Sequence, residues 1–300
     1  MKIPIISIVG ATAVGKTTLS IQLAKKFDAE IISIDSVQIY KEFDIGSAKV
    51  KKDEMEGVKH HLIDILDPTQ KFSVYDFQKI ARKKIEEIYN KGKIPILIGG
   101  SGYYMNAVIY DYCFVQRDTG IKKVSLEEML KYLKINFPDT YEDLDLKNGR
   151  RVINAYNNVI SSGKSTADNK NGGNIFYKYA PHVIVLDRPR KIIYDRINKR
   201  VAKMIKEGLI EEVRNIEISY GRDLQAMSSI GYKEVLNYLD GDISKEKMIE
   251  EIAQNSRRYA KRQLTWFRNK LVDKYWYDLE KTDYTDIEKN IERFLGNNFK

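Results

Sequence analysis

Residues 3–9, IPIISIV, form an unbroken apolar run rich in β-branched side chains, which predicts a buried strand. After a glycine-bounded turn at Gly10–Thr17, Leu19, Leu23 and Phe27 recur at four-residue spacing, so Thr18–Phe27 reads as a helix with one apolar face. Residues 29–34, AEIISI, supply a second strand that ends at Asp35. Strand, helix and strand in that succession make a βαβ unit, which implies a parallel sheet with right-handed crossovers.

The same alternation continues. Phe77, Ile80, Ala81, Ile85 and Ile88 mark a helix over 74–89, stopped by Asn90-Lys91-Gly92. Lys93–Ile98 is a further strand running into Gly99-Gly100-Ser101-Gly102, and His182–Leu186 is another. Helices follow over 191–206, 210–220 and 245 to about 270. Between 113 and 180 the texture differs: 125–137 and 149–160 are helical by pattern, and 161–174 (SSGKSTADNKNGGN) is polar and rich in turn formers, a flexible loop by composition. The expected organisation is an α/β core over 1–112 and 181–300, with a P-loop nucleoside-triphosphatase-like parallel sheet. A mostly helical insertion over 113–180 interrupts it.

Composition excludes several classes. With 43% hydrophobic and 31% charged residues the chain is neither disordered nor fibrous. No apolar run approaches the ~20 residues that span a bilayer. The N-terminal run stops at Gly10 without a cleavage site, so it reads as a strand rather than a signal peptide. Cys113 is the single cysteine, which excludes an intrachain disulfide and a zinc site of several cysteines. These features fit a cytoplasmic protein.

The net charge of +9 is unevenly placed. Residues 187–206 carry eight Lys or Arg against two Asp, and residues 254–274 carry seven against one. Each stretch is therefore +6, and the remainder of the chain is slightly acidic. Clustered positive charge suits a polyanionic partner.

Gly10-Ala11-Thr12-Ala13-Val14-Gly15-Lys16-Thr17 has the form G-x₄-G-K-[ST], after a strand and opening a helix. Its backbone N–H groups, helix dipole and Lys16 make an anion cradle, and the Thr17 hydroxyl can reach Mg²⁺. Phosphate binding follows; nucleotide hydrolysis does not. The strand at 94–98 runs into Gly-Gly-Ser-Gly, without the acid that a nucleotide hydrolase uses to hold magnesium. Asp35 ends the neighbouring strand instead. In an open parallel sheet, ligands bind beyond the carboxyl ends of the strands. There the loop, Asp35-Ser36-Val37-Gln38 and Ser101 converge. Arg196 and Arg200, off the apolar face of their helix, are candidate phosphate clamps. His60 and His61 lack a third ligand at metal spacing and read as structural. Trp266 and Phe267 belong with the apolar stripe of Ala260, Leu264 and Leu271.

These motifs resemble the tRNA dimethylallyltransferases (tRNA isopentenyltransferases). GATAVGKTTLS, IISIDSVQIYKEFDIGSAK, GVKHHLIDILDP, GKIPILIGGSGYYMNA, DRPRKIIYDRINKRVAKMIKEGLIEEV, AMSSIGYKEVLNYLDG and QNSRRYAKRQLTWFR occur in family order between residues 5 and 268. Ser101 stands where the family usually has threonine, and Val37 where arginine or methionine is common. The resemblance implies transfer of a dimethylallyl group from dimethylallyl diphosphate to the exocyclic amine of the adenosine 3′-adjacent to a tRNA anticodon. Asp35 would be general base and Ser101 its neighbour at the amine. Residues 10–17, Arg196 and Arg200 would hold the diphosphate. Asp35, Ser36, Val37, Gln38, Ser101, Arg150, Arg151, Ser229, Gly231, Tyr232, Arg257 and Arg258 would meet tRNA, with Mg²⁺ as cofactor on a monomeric enzyme. A small-molecule or nucleotide kinase, or an adenylate isopentenyltransferase, remains the alternative.

Overall fold

The computed structural model describes residues 2–111, 124–162 and 176–298. In chain order the elements are β1 (Ile3–Gly10), α1 (Lys16–Lys26), β2 (Ala29–Ile34), β3 (His60–His61), α2 (Val74–Tyr89), β4 (Ile94–Gly99), α3 (Gly102–Ile109), α4 (Leu126–Asn136), α5 (Pro138–Glu142), α6 (Gly149–Ser162), β5 (Tyr179–Asp187), α7 (Arg190–Glu207), α8 (Leu209–Tyr220), α9 (Tyr232–Leu239), α10 (Lys245–Lys270), β6 (Lys274–Asp278) and α11 (Tyr284–Asn298). They divide into two compact units, 1–106 with 178–300, and 107–177.

The larger unit is a six-stranded, all-parallel sheet ordered β3-β2-β4-β1-β5-β6. β2 and β3, and β5 and β6, are neighbours in chain and in space, whereas β1, β2 and β4 interleave out of chain order; every pair is parallel, so each connection crosses over instead of turning back as a hairpin. β1 and β2 are buried along almost their whole length, which is why they read as continuous apolar runs. Ile6, Ile8, Ile31 and Ile96 pack with Leu19 and Leu23 of α1 and with Ile287, Ile291 and Leu295 of α11. α2 starts where Ser73 and Asp76 cap each other's backbone, with Ser73 Oγ accepting from Asp76 N at 3.2 Å. Gly15, at φ 113°, makes the left-handed turn from loop into α1.

Register brings the functional segments together. Gly99 of β4 lies opposite both Val9 of β1 and Ile34 of β2, and Gly10 lies opposite Leu186 of β5. The loop after β1, Asp35 after β2, Gly100-Ser101 after β4 and Arg188 after β5 therefore emerge side by side at one sheet edge.

The smaller unit has its own core: Met129 and Leu133 of α4 pack against Val152, Ala155, Tyr156 and Val159 of α6. Its two ends are tied by an antiparallel bridge between Tyr110 and Phe176, with Tyr177 N donating to Ile109 O at 2.9 Å. Those two rings stack at 5.1 Å and 13°. The unit begins at Ala107 and ends at Tyr177, whereas the sequence placed an insertion over 113–180. The sequence pattern treated 102–112 as a simple continuation of the core, but the chain leaves in mid-helix α3. Most of the expected loop at 161–174, and Cys113, lie outside the described residues.

Candidate active site

The sheet edge opens on a cavity of about 1010 Å³. Thr12, Ala13, Gly15, Lys16 and Thr17 line it, with Asp35, Gly100, Arg196 and Arg200. The phosphate loop is held by three arginines from beyond β5. Arg188 Nε donates to Val14 O at 2.9 Å, Arg196 Nε to Ala13 O at 2.6 Å, and Arg200 Nη1 to the Thr12 hydroxyl at 3.0 Å. The Arg196 and Arg200 guanidiniums line the cavity, a concentration of positive charge that a diphosphate would neutralise, whereas Arg188 Nη1 is already paired with Glu280. Lys16 Nζ donates to Gly10 O at 3.0 Å and Ala11 O at 2.9 Å. Burial, and then the Arg200 charge, lower its pKa to about 7 against the opposing pull of Asp35. Burial likewise lowers the Arg200 pKa, with Arg196 adding to it.

Asp35 is half-buried on the cavity wall. Its Oδ1 accepts from Val37 N at 2.8 Å and Gln38 N at 3.2 Å, a turn that fixes the carboxylate. Among the described residues no protein donor reaches Oδ2. Ser101 immediately precedes α3, its carbonyl accepting from Met105 N at 3.0 Å. It stands one residue past Gly100, next to the Asp35 end of β2, but it is not part of the cavity wall. Tyr259 and Gln263 of α10 complete the wall beside Asp35. Burial, then the Asp35 charge, push the Tyr259 phenol up to about 12.

Among the described residues no group of three or more His, Cys, Asp or Glu side chains converges as a metal site. The cavity wall offers hard oxygen donors at the loop: the exposed Thr17 hydroxyl and the Asp35 carboxylate. That donor set fits magnesium, which keeps waters and takes further ligands from bound phosphates.

Residues 38–270 match the family described as IPP transferase. The tRNA dimethylallyltransferase of Macrococcus caseolyticus is 43% identical over 304 residues, covering 99% of this chain and 96% of that protein. This chain belongs to the tRNA dimethylallyltransferase (IPP transferase) family. Another tRNA dimethylallyltransferase, from Geobacillus thermodenitrificans, is 46% identical over 295 residues, covering 95% of this chain and 92% of its own length. The solved tRNA isopentenylpyrophosphate transferase of Staphylococcus epidermidis superposes with a TM-score of 0.75 at 38% identity over 99% of both chains. A eukaryotic dimethylallyltransferase acting on tRNA superposes at 0.86, with 28% identity over 98% of this chain and 80% of that one. The parallel sheet and phosphate loop of this chain thus agree with the α/β, P-loop expectation.

Several residues expected to meet tRNA are engaged internally. Tyr232 is fully buried, its hydroxyl donating to Glu212 Oε1 at 2.8 Å, and Gly231 is buried with its N–H on Glu234 Oε2 at 2.7 Å. Gly231 caps helix α9 and Tyr232 begins it, so both have partners within the fold; Ser229 just before them is half-buried. The Gln38 amide is engaged by Ser33 Oγ and by the carbonyls of Ser47 and Ala48, so its side chain braces the cavity-lining loop. Ser36 and Val37 are half-buried beside it. Arg257 donates to Asn198 Oδ1 at 2.7 Å, tying α10 to α7, while Arg258 is exposed. Arg150 and Arg151 fall in α6, where Arg151 is exposed and 3.4 Å from Asp145. His61 Nε2 pairs with Glu30 at 2.6 Å and His60 Nδ1 donates to Val58 O at 2.9 Å, as structural histidines do. Trp266 packs over Gly102, where a Cβ would sit 2.0 Å from its ring, and Phe267 is fully buried.

Sequence reasoning missed Gln263, Tyr259, Arg188 as a separate loop ligand, and Glu212. The Glu212 carboxylate accepts from the N–H groups of Asp44, Ile45 and Gly46 at 3.1, 2.6 and 3.0 Å, and so shapes the loop over the cavity. Gln263 and Tyr259 carried a signal, an i, i+4 pair of hydrogen-bonding residues on the buried side of a basic helix.

Proposed function

We propose that this chain transfers the dimethylallyl group of dimethylallyl diphosphate to the exocyclic amine of the adenosine 3′-adjacent to the anticodon of tRNA. The observation that carries the reading is that the arginine-clamped phosphate loop and the Asp35 carboxylate face one cavity. The donor's diphosphate sits in the loop, against Lys16, Arg196 and Arg200. The purine amine is a weak nucleophile, because its lone pair is delocalised into the ring. As its nitrogen bonds to the donor's first carbon, the carbon–oxygen bond breaks, the electron pair leaves on diphosphate, and Asp35 takes the amine proton. The loop amides and arginines meet the charge developing on the leaving group. Mg²⁺, held by the Thr17 hydroxyl and the diphosphate, would neutralise part of that charge.

A base stacked in an anticodon loop must be extruded to reach such a cavity. The exposed basic side chains of α7 and α10, Arg258 and Arg262 among them, hold the anticodon stem through its phosphates, with the backbone of 36–38, Ser229 and Arg151 as further contacts. The enzyme acts as a monomer. The test is incubation with dimethylallyl diphosphate and unmodified tRNA, followed by mass spectrometry of the nucleosides. Dimethylallyladenosine supports the reading, and unmodified adenosine throughout refutes it.

A further inference from the structure

We infer that Gln263 is a positioning residue that sets the spacing between the phosphate loop and the β4–α3 turn, and so the fit of the donor's diphosphate; the inference rests on the function proposed above. The side chain is 5% exposed and spans two loops. Its Oε1 accepts from Thr12 N at 2.8 Å, and its Nε2 donates to Gly100 O at 2.9 Å. Thr12 is thereby fixed from two sides, because its hydroxyl also takes Arg200 at 3.0 Å. Gly100 admits no side chain: a Cβ there would lie 2.1 Å from Gln263 Nε2. One turn earlier on α10, Tyr259 lines the same wall as Gln263 and feels the Asp35 charge.

The amide therefore touches the two segments whose separation defines the reaction cleft. One carries the anion cradle; the other carries Ser101 and lies in register with the strand ending at Asp35. A primary amide suits the place, since it presents an acceptor and an uncharged donor side by side on one rigid plane. Without the bridge, Thr12 N–H and Gly100 O lose their partner and both loops are released. Displacements of about an ångström at a reacting centre cost up to roughly 10²-fold in rate.

Two variants separate positioning from packing. Gln263→Met keeps the volume and removes both hydrogen bonds. Gln263→Asn keeps the chemistry and is one methylene too short to bridge, so it serves if the Met variant does not fold. Steady-state kinetics should show the KM for dimethylallyl diphosphate rising at least about tenfold and kcat falling, with tRNA affinity within about twofold and the melting temperature within a few degrees of the parent. Calorimetric titration with inorganic diphosphate should show a matching loss, and that arm does not depend on prenyl transfer. A diphosphate affinity within twofold of the parent overturns the inference. So does a parallel fall of diphosphate affinity, tRNA affinity and melting temperature, which would make Gln263 a packing residue. If the parent binds diphosphate but does not prenylate tRNA, the proposed function fails while the diphosphate arm still decides the role of Gln263.

Discussion

Arg200 reaches across the sheet edge to the hydroxyl of Thr12, 188 positions earlier in the chain, and donates to it at 3.0 Å. The phosphate loop is thus shaped from outside as well as by its own glycines. Arg200→Ala should raise the KM for dimethylallyl diphosphate and lower kcat by about 10²-fold, the typical worth of one donor to a developing anion. Arg200→Lys should restore little, because an ammonium cannot bond Thr12 and diphosphate in one plane. Donor kinetics at saturating tRNA would show both effects.

Asp35→Asn is a clean test of the base. The Asn oxygen still accepts from Val37 N and Gln38 N, so the turn survives while the proton acceptor is removed. Single-turnover rates with both ligands saturating should drop at least about 100-fold, with binding nearly unchanged. A rate within a few-fold of the parent would leave Asp35 a turn former.

Lys16 should make donor binding take up a proton. Its folded pKa, about 7, lies below the unfolded value of 10.5. Between those values the unfolded chain binds the extra proton, so the donor-free protein gains stability as pH rises from about 7 toward 10.5. A bound diphosphate favours the ammonium and raises its pKa. Calorimetry at about pH 8.5, in buffers of different ionisation enthalpy, should find an uptake approaching one proton, and Lys16→Met should abolish it.

Salt dependence should distinguish the arginines of α10. Arg258 and Arg262 are exposed, whereas Arg257 is tied to Asn198. The double variant Arg258→Ala, Arg262→Ala should flatten the slope of log tRNA affinity against log salt by about 0.7–0.9 for each phosphate that loses its arginine. Arg257→Ala should change the slope less and stability more.

Glu212→Ala removes the acceptor for three backbone N–H groups and the Tyr232 hydroxyl. Hydrogen bonds to a charged group contribute about 1.5–3 kcal/mol each, partly recovered from water, so a destabilisation of about 2 kcal/mol or more is expected. A urea midpoint within error of the parent's would show that the loop holds itself.

Local pattern revealed most of the sheet, because buried parallel strands are apolar runs: 29–34 and 74–89 match the observed β2 and α2 end to end. β3 escaped notice because two histidines carry no apolar signal and pair only through Ile31 and Ile32. β6, KYWYD, is an edge strand of mixed polarity whose place depends on β5. At the site, the loop and Asp35 were legible because their chemistry is local in sequence. Gln263 and Glu212 were not, since each acts on backbone more than 160 positions away. The burial of Tyr232 was hidden for the same reason: its hydroxyl is held by Glu212, 20 positions earlier on another helix.

The bridge between Tyr110 and Phe176 has an evolutionary reading. It brings the two ends of the smaller unit together, Tyr110 against Phe176. Length changes in flexible loops beyond that pairing cost little in closure entropy, about 0.6 kcal/mol per doubling of length, whereas changes inside the packed core of α4 and α6 cost that core. None of them shifts the register of the parallel sheet. Lineages can therefore vary the length of that unit while β1, β2, β4 and β5 keep the pairing that brings the phosphate loop and Asp35 to one sheet edge.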